Sequence, residues 1–89
     1  MKQYTDKLFT KWGELIDLVL EEHTNQLKKW DVQTHTLFEW CNYTTEELGE
    51  LAKAISEEEY REGTKADIVE EAIQVATLAL KIAEMCMDG

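Results

Sequence analysis

Proline is missing from all 89 residues and glycine occurs only four times. Without proline the chain lacks the strongest helix breaker, and with so little glycine it has few positions free to enter left-handed backbone. A turn-rich β fold is therefore disfavoured, and long uninterrupted helices are favoured. Cysteine is limited to Cys41 and Cys86. Each lies inside a helical pattern with no zinc-type spacing, which excludes a disulfide framework and reads both as reduced thiols in the core. No stretch approaches the roughly 18 apolar residues of a membrane span, and the first six residues hold no apolar run of signal type. A cytoplasmic chain without a membrane partner is expected.

Positive charge is also scarce, with nine Lys and Arg against nineteen Asp and Glu and a net charge of −10. The acids concentrate in residues 46–71, where Glu46, Glu47, Glu50, Glu57, Glu58, Glu59, Glu62, Asp67, Glu70 and Glu71 face only Lys53, Arg61 and Lys65. Such a surface repels a phosphate backbone, so nucleic acid is excluded as a partner bound through a basic patch. A polyphosphate ligand would need cations as a bridge. A chain this short folds as a single domain, residues 1–89, and buries only about 60% of its unfolded surface, so oligomerisation is expected.

What is present is apolar periodicity, which divides the chain into three helices. The first spans about Thr5 to Trp30, with Leu8, Phe9, Trp12, Leu15, Ile16, Val19, Leu20, Leu27 and Trp30 on one stripe when each residue advances roughly 100°. His23 falls inside that stripe, where a histidine is more often a hydrogen-bonded core residue than a ligand. The period breaks over residues 31–36, which read as a loop rich in donors and acceptors. The second helix spans about Leu37 to Ile55, and Glu57, Glu58, Glu59 and Gly63 mark the next connection. Thr64 and Asp67 form a capping-box pattern that opens a third helix running to about Met87. The expected fold is all-α, a bundle of three helices per chain whose four-helix core is completed by dimerisation, giving a homodimer or homotetramer.

Several acids fall on the apolar side of their helices. In helix two, Trp40, Tyr43, Leu48, Leu51, Ala52, Ala54 and Ile55 form an apolar arc that contains Glu47, with Glu50 at its edge, whereas Glu46 and Lys53 point to solvent. In helix three, Glu71 sits between Val75, Leu78 and Ile82. Asp67 and Gln74 lie beside it, next to a narrow polar strip of Glu70, Thr77, Lys81 and Glu84. An ionised carboxylate on an apolar surface is costly unless it is paired or bound to metal. The few lysines and arginines cannot neutralise all of these acids, and oxygen-only ligation suits Mg²⁺ or Mn²⁺. The alternative from spacing alone is a solvated acidic face.

At these residues the sequence resembles the MazG-like members of the all-α nucleoside triphosphate pyrophosphohydrolases, marked by E-x-x-E on one helix and E-x-x-D on the next. Glu46-Glu47-Leu48-Gly49-Glu50 matches the first half, and the resemblance makes Glu47 and Glu50 metal ligands, the same two acids that helical geometry singles out. Glu70-Glu71-Ala72-Ile73-Gln74-Val75-Ala76 matches the second half with Glu71 as a ligand and Gln74 in place of the aspartate. Asp67, with Glu70 three residues on, is the other source of charge for that pair. Lys29-Trp30-Asp31-Val32-Gln33-Thr34-His35 resembles the K-W-G-x-Q-x-H segment of small, often phage-borne MazG-like proteins. The resemblance covers about residues 28–85.

The resemblance implies an Mg²⁺-dependent enzyme that converts a nucleoside triphosphate to its monophosphate and pyrophosphate. Glu46 or Glu70 would take the proton of the attacking water. Trp30, Gln33 and His35 are candidates for base or sugar contact, with Lys53 as a further substrate contact. A catalytically silent helical interaction module and a pyrophosphohydrolase of another nucleotide, such as a phosphoribosyl-nucleotide, are the alternatives.

Overall fold

A computed structural model describes the backbone of residues 2–88 and the side chains of residues 7–87. Three helices carry the chain: α1 (Lys2–Trp30), α2 (Leu37–Tyr60) and α3 (Lys65–Asp88), with no strand among the described residues. The all-α expectation and the loop over residues 31–36 hold. Helix α2 runs five residues past the expected end at Ile55, so Glu57, Glu58 and Glu59 belong to its last turns and not to a connection. Glutamate is a good helix former, and Glu57 and Glu58 are half-buried, which is why the run of acids does not end the helix.

Each junction has a local cause. Helix α1 stops at Asp31, whose N–H donates to the Leu27 carbonyl at 2.9 Å with φ at 58°, the left-handed cap that closes a helix C-terminus. Helix α2 opens on a capping box that spacing had not singled out. Thr36 Oγ1 accepts from the Glu39 N–H at 3.1 Å, and Glu39 Oε1 accepts from the Thr36 N–H at 3.0 Å. Helix α3 opens on the expected one, where Thr64 Oγ1 accepts from the Asp67 N–H at 3.2 Å. Between α2 and α3 the Gly63 N–H donates to the Glu57 carbonyl at 3.1 Å, and a Cβ on Gly63 would lie 2.8 Å from the Glu58 backbone nitrogen. The turn thus requires glycine for close approach of backbone.

Helix α3 packs against both neighbours, and α1 and α2 make no helix pairing with each other among the described residues. The result is a slab of 39 × 36 × 22 Å whose core is thin. Among the described residues only Trp40, Ala54, Leu78 and Thr77 are buried. Thr77, a member of the narrow polar strip, is the most buried of the described side chains at 2% exposure, its hydroxyl donating to the Ile73 carbonyl at 2.8 Å.

That strip points inward. Lys81 reaches Gln26 of α1, and Glu70 lines a groove with Glu21 and Glu22. The outer side of α3 carries Ala72, Ala79, Leu80 and Ala83 instead. The stripe of α1 likewise divides in two. Leu8, Leu15, Val19, Glu22, His23 and Gln26 are half-covered, while Phe9, Trp12, Ile16 and Leu20 stand 56–74% exposed. Cys41 and Cys86 are exposed, not core thiols, because both lie on outward faces of their helices.

Candidate functional site

Two neighbouring features make up the site. The first is a carboxylate cluster between α2 and α3. Glu47 lies on the inward line Trp40, Thr44, Glu47, Leu51, Ala54, where the spacing of four, three, four and three residues keeps side chains on one face of a helix. Glu71 meets it from α3. Glu47 Oε2 and Glu71 Oε2 are both shut off from water with no hydrogen-bond partner. Burial pushes the Glu47 carboxyl above its ordinary range; next comes the hydrogen bond it can give to the Glu71 carboxylate when protonated, a partner that exists only in that state, and then the charges of Glu71, Glu50 and Glu22. Glu22 is the member that sequence reasoning missed. Its signal was its place seven residues after Leu15 and three after Val19, on the half-covered line of α1.

The other proposed ligands stand apart. Asp67 is exposed, and its carboxylate accepts from the Thr64 N–H at 3.4 Å, so it is engaged in capping α3. Gln74 is half-buried one turn beyond Glu71. Glu46 is exposed, and Glu70 lines the groove of about 240 Å³ between α1 and α3. Among the described residues no three His, Cys, Asp or Glu side chains are drawn together tightly enough to cage a metal ion. The chemistry nonetheless fits a divalent cation, since two buried carboxylate oxygens without partners are hard donors that lack a positive charge.

The second feature is a cleft of about 460 Å³ where the end of α1, the 31–36 loop, the start of α2 and the end of α3 meet. It brings together Trp30, Gln33 and His35, three of the four residues expected to contact a substrate, and lines the space between them with Leu27, Val32, Trp40 and Met85. The His35 ring packs edge-on against Trp40 at 4.9 Å and Tyr43 at 5.1 Å between centroids. Its Nε2 lies 3.4 Å from Gln33 Oε1 and its Nδ1 3.8 Å from the Glu39 carboxylate. That packing fixes the ring, while the Lys29 ammonium lies over the Trp30 ring at 4.5 Å from its centroid, which leaves the opposite face for a base. His23 lines the same cleft, half-buried. Lys53 is exposed and lines neither this cleft nor the groove beside Glu70.

The two features touch through a chain of polar groups that no motif announced. Lys81 Nζ donates to Gln26 Oε1, and Gln26 Nε2 donates to Glu22 Oε1 at 2.9 Å. Lys81 and Gln26 line the cleft, and Glu22 acts on Glu47. Compared with known proteins, the chain matches no family model, no curated protein and no solved structure.

Proposed function

We propose that the chain is an Mg²⁺-dependent pyrophosphohydrolase of the MazG-like kind, hydrolysing a nucleoside triphosphate to the monophosphate and pyrophosphate. The observation that carries the reading is the pair of buried, unpartnered oxygens on Glu47 and Glu71, beside an aromatic cleft of nucleoside size. Glu47, Glu50 and Glu71 would hold the cation, and Glu22 supplies the further negative charge that Gln74 lacks. Asp67, occupied as a helix cap, drops out of the ligand set in this reading.

When bound, Mg²⁺, or Mn²⁺ in its place, supplies positive charge for the triphosphate oxygens and acidifies water. The chain's own groups do the rest. Trp30 offers a face for stacking a base, and Gln33 and His35 offer polar atoms to its edge. Glu46 and Glu70, adjacent in sequence to the ligands, are the candidate proton acceptors for the attacking water. Asp31 lends separate support to the resemblance. It stands where the K-W-G-x-Q-x-H segment has glycine, and it adopts the left-handed backbone that glycine takes most readily.

Assembly belongs to the same reading. The apolar outer faces of α1 and α3 suit a second copy of the chain, giving a dimer or a pair of dimers.

The test is product analysis over a panel of ribo- and deoxynucleoside triphosphates with Mg²⁺, run beside Glu47→Gln and Glu71→Gln. The reading expects monophosphate and pyrophosphate from at least one substrate, lost in both variants. A panel with no turnover, together with a melting temperature indifferent to Mg²⁺, would point to a silent helical module.

A further inference from the structure

The cleft contains one residue suited to an anion that neither the motif nor the carboxylate cluster employs. Among the described lining residues Lys81 is the sole lysine or arginine, in a chain whose net charge is −10. It is half-buried, and its direct partners are neutral: the Gln26 side-chain oxygen and the Trp40 ring, whose centroid lies 5.2 Å from Nζ. No carboxylate is within ion-pairing distance of it among the described residues. Glu22 and Glu84 act on this ammonium electrostatically but neither pairs with it, so its contacts are an amide oxygen and a π face, and a phosphate oxygen is a stronger acceptor than either.

Its place on α3 gives that charge a direction. Lys81 forms one wall of the cleft, and through Gln26 it is joined to Glu22, which lies within electrostatic reach of both Lys81 and Glu47. Lys81 therefore stands at the seam between the aromatic cleft and the carboxylates. A nucleotide bridging the two features would pass its first phosphate across this seam.

We infer that Lys81 binds the phosphate nearest the nucleoside, leaving Gln26 to do so, and thereby sets which anhydride bond reaches the carboxylates. The inference rests on the nucleotide reading above and adds to it a residue seven positions beyond Gln74. Gln26 is the positioning residue of this arrangement, because it holds the ammonium at the seam while the cleft is empty.

The test uses the quenching of tryptophan emission, since Trp30 and Trp40 both line the cleft. Nucleoside monophosphates and the matching nucleosides are titrated without added metal into the wild-type chain, Lys81→Gln and Lys81→Arg. The wild type should bind a monophosphate about tenfold or more tighter than its nucleoside, as a hydrogen bond to a charged partner implies. Lys81→Gln should bring the two affinities together without weakening the nucleoside, and Lys81→Arg should keep the preference. Inorganic phosphate, titrated against the wild type already holding a nucleoside, should perturb the emission as well, which tests the site should Lys81→Gln fail to fold. A monophosphate preference that survives in Lys81→Gln, or an emission unmoved by phosphate, overturns the role of Lys81 while leaving the nucleotide reading standing. Failure of the wild type to bind either ligand overturns both.

Discussion

Glu47 is held where a carboxylate is least comfortable, and the consequence is a definite dependence on pH. Its acidity is weakened chiefly by burial and then by Glu71, so the folded state binds this proton more tightly than the unfolded chain does. The stability attached to it is therefore fully present below the ordinary glutamate range and is lost as pH rises through the elevated folded value. Glu39 runs the other way. Its carboxylate is made more acidic by the Thr36 cap, so that contribution is present at neutral pH and lost in acid. Comparing Glu47→Gln with the wild type isolates the first effect. Without divalent metal at neutral pH the variant should melt a few degrees higher, the difference shrinking toward pH 4, and it should gain nothing from Mg²⁺ whereas the wild type does. Equal melting curves at pH 7 would show that Glu47 is not strained by its neighbours. Glu47 and Glu71 were legible in sequence because a charge on an apolar arc is conspicuous. Glu22 and Lys81 were not, because long polar side chains on a solvent-type strip look the same whether the strip faces water or a neighbouring helix.

At the level of whole elements, the helices were legible and their facing was not. Periodicity locates an amphipathic helix but cannot say which helix covers which arc, and here α3 turns its polar strip toward α1 and its alanine-rich side outward. The end of α2 was missed for a related reason. A triple glutamate resembles a polar connection, yet it propagates a helix whose true stop is the close backbone approach at Gly63. Because α1 pairs with α3 alone among the described residues, and its large apolar residues Phe9, Trp12, Ile16 and Leu20 are more than half exposed, it is the least anchored element of a single chain. Amide hydrogen exchange at low protein concentration should be faster along residues 9–20 of α1 than along residues 71–82 of α3. Equal protection in the two segments would mean that α1 has contacts beyond those with α3.

For the molecule as a whole, the outward faces of α1 and α3 predict self-association. Sedimentation at micromolar concentration should give a dimer or larger, and Leu80→Lys, which places a charge on the apolar outer face without touching Lys81 or Glu71, should shift it toward monomer. A wild-type monomer at that concentration would leave the apolar faces for another partner. The slab is only 22 Å thick, so no atom in a lone chain lies deeper than about one helix diameter below water. The shielding of the Glu47 and Glu71 oxygens is nonetheless complete within one chain. The pH dependence attached to Glu47 should therefore be the same at every protein concentration at which the chain stays folded.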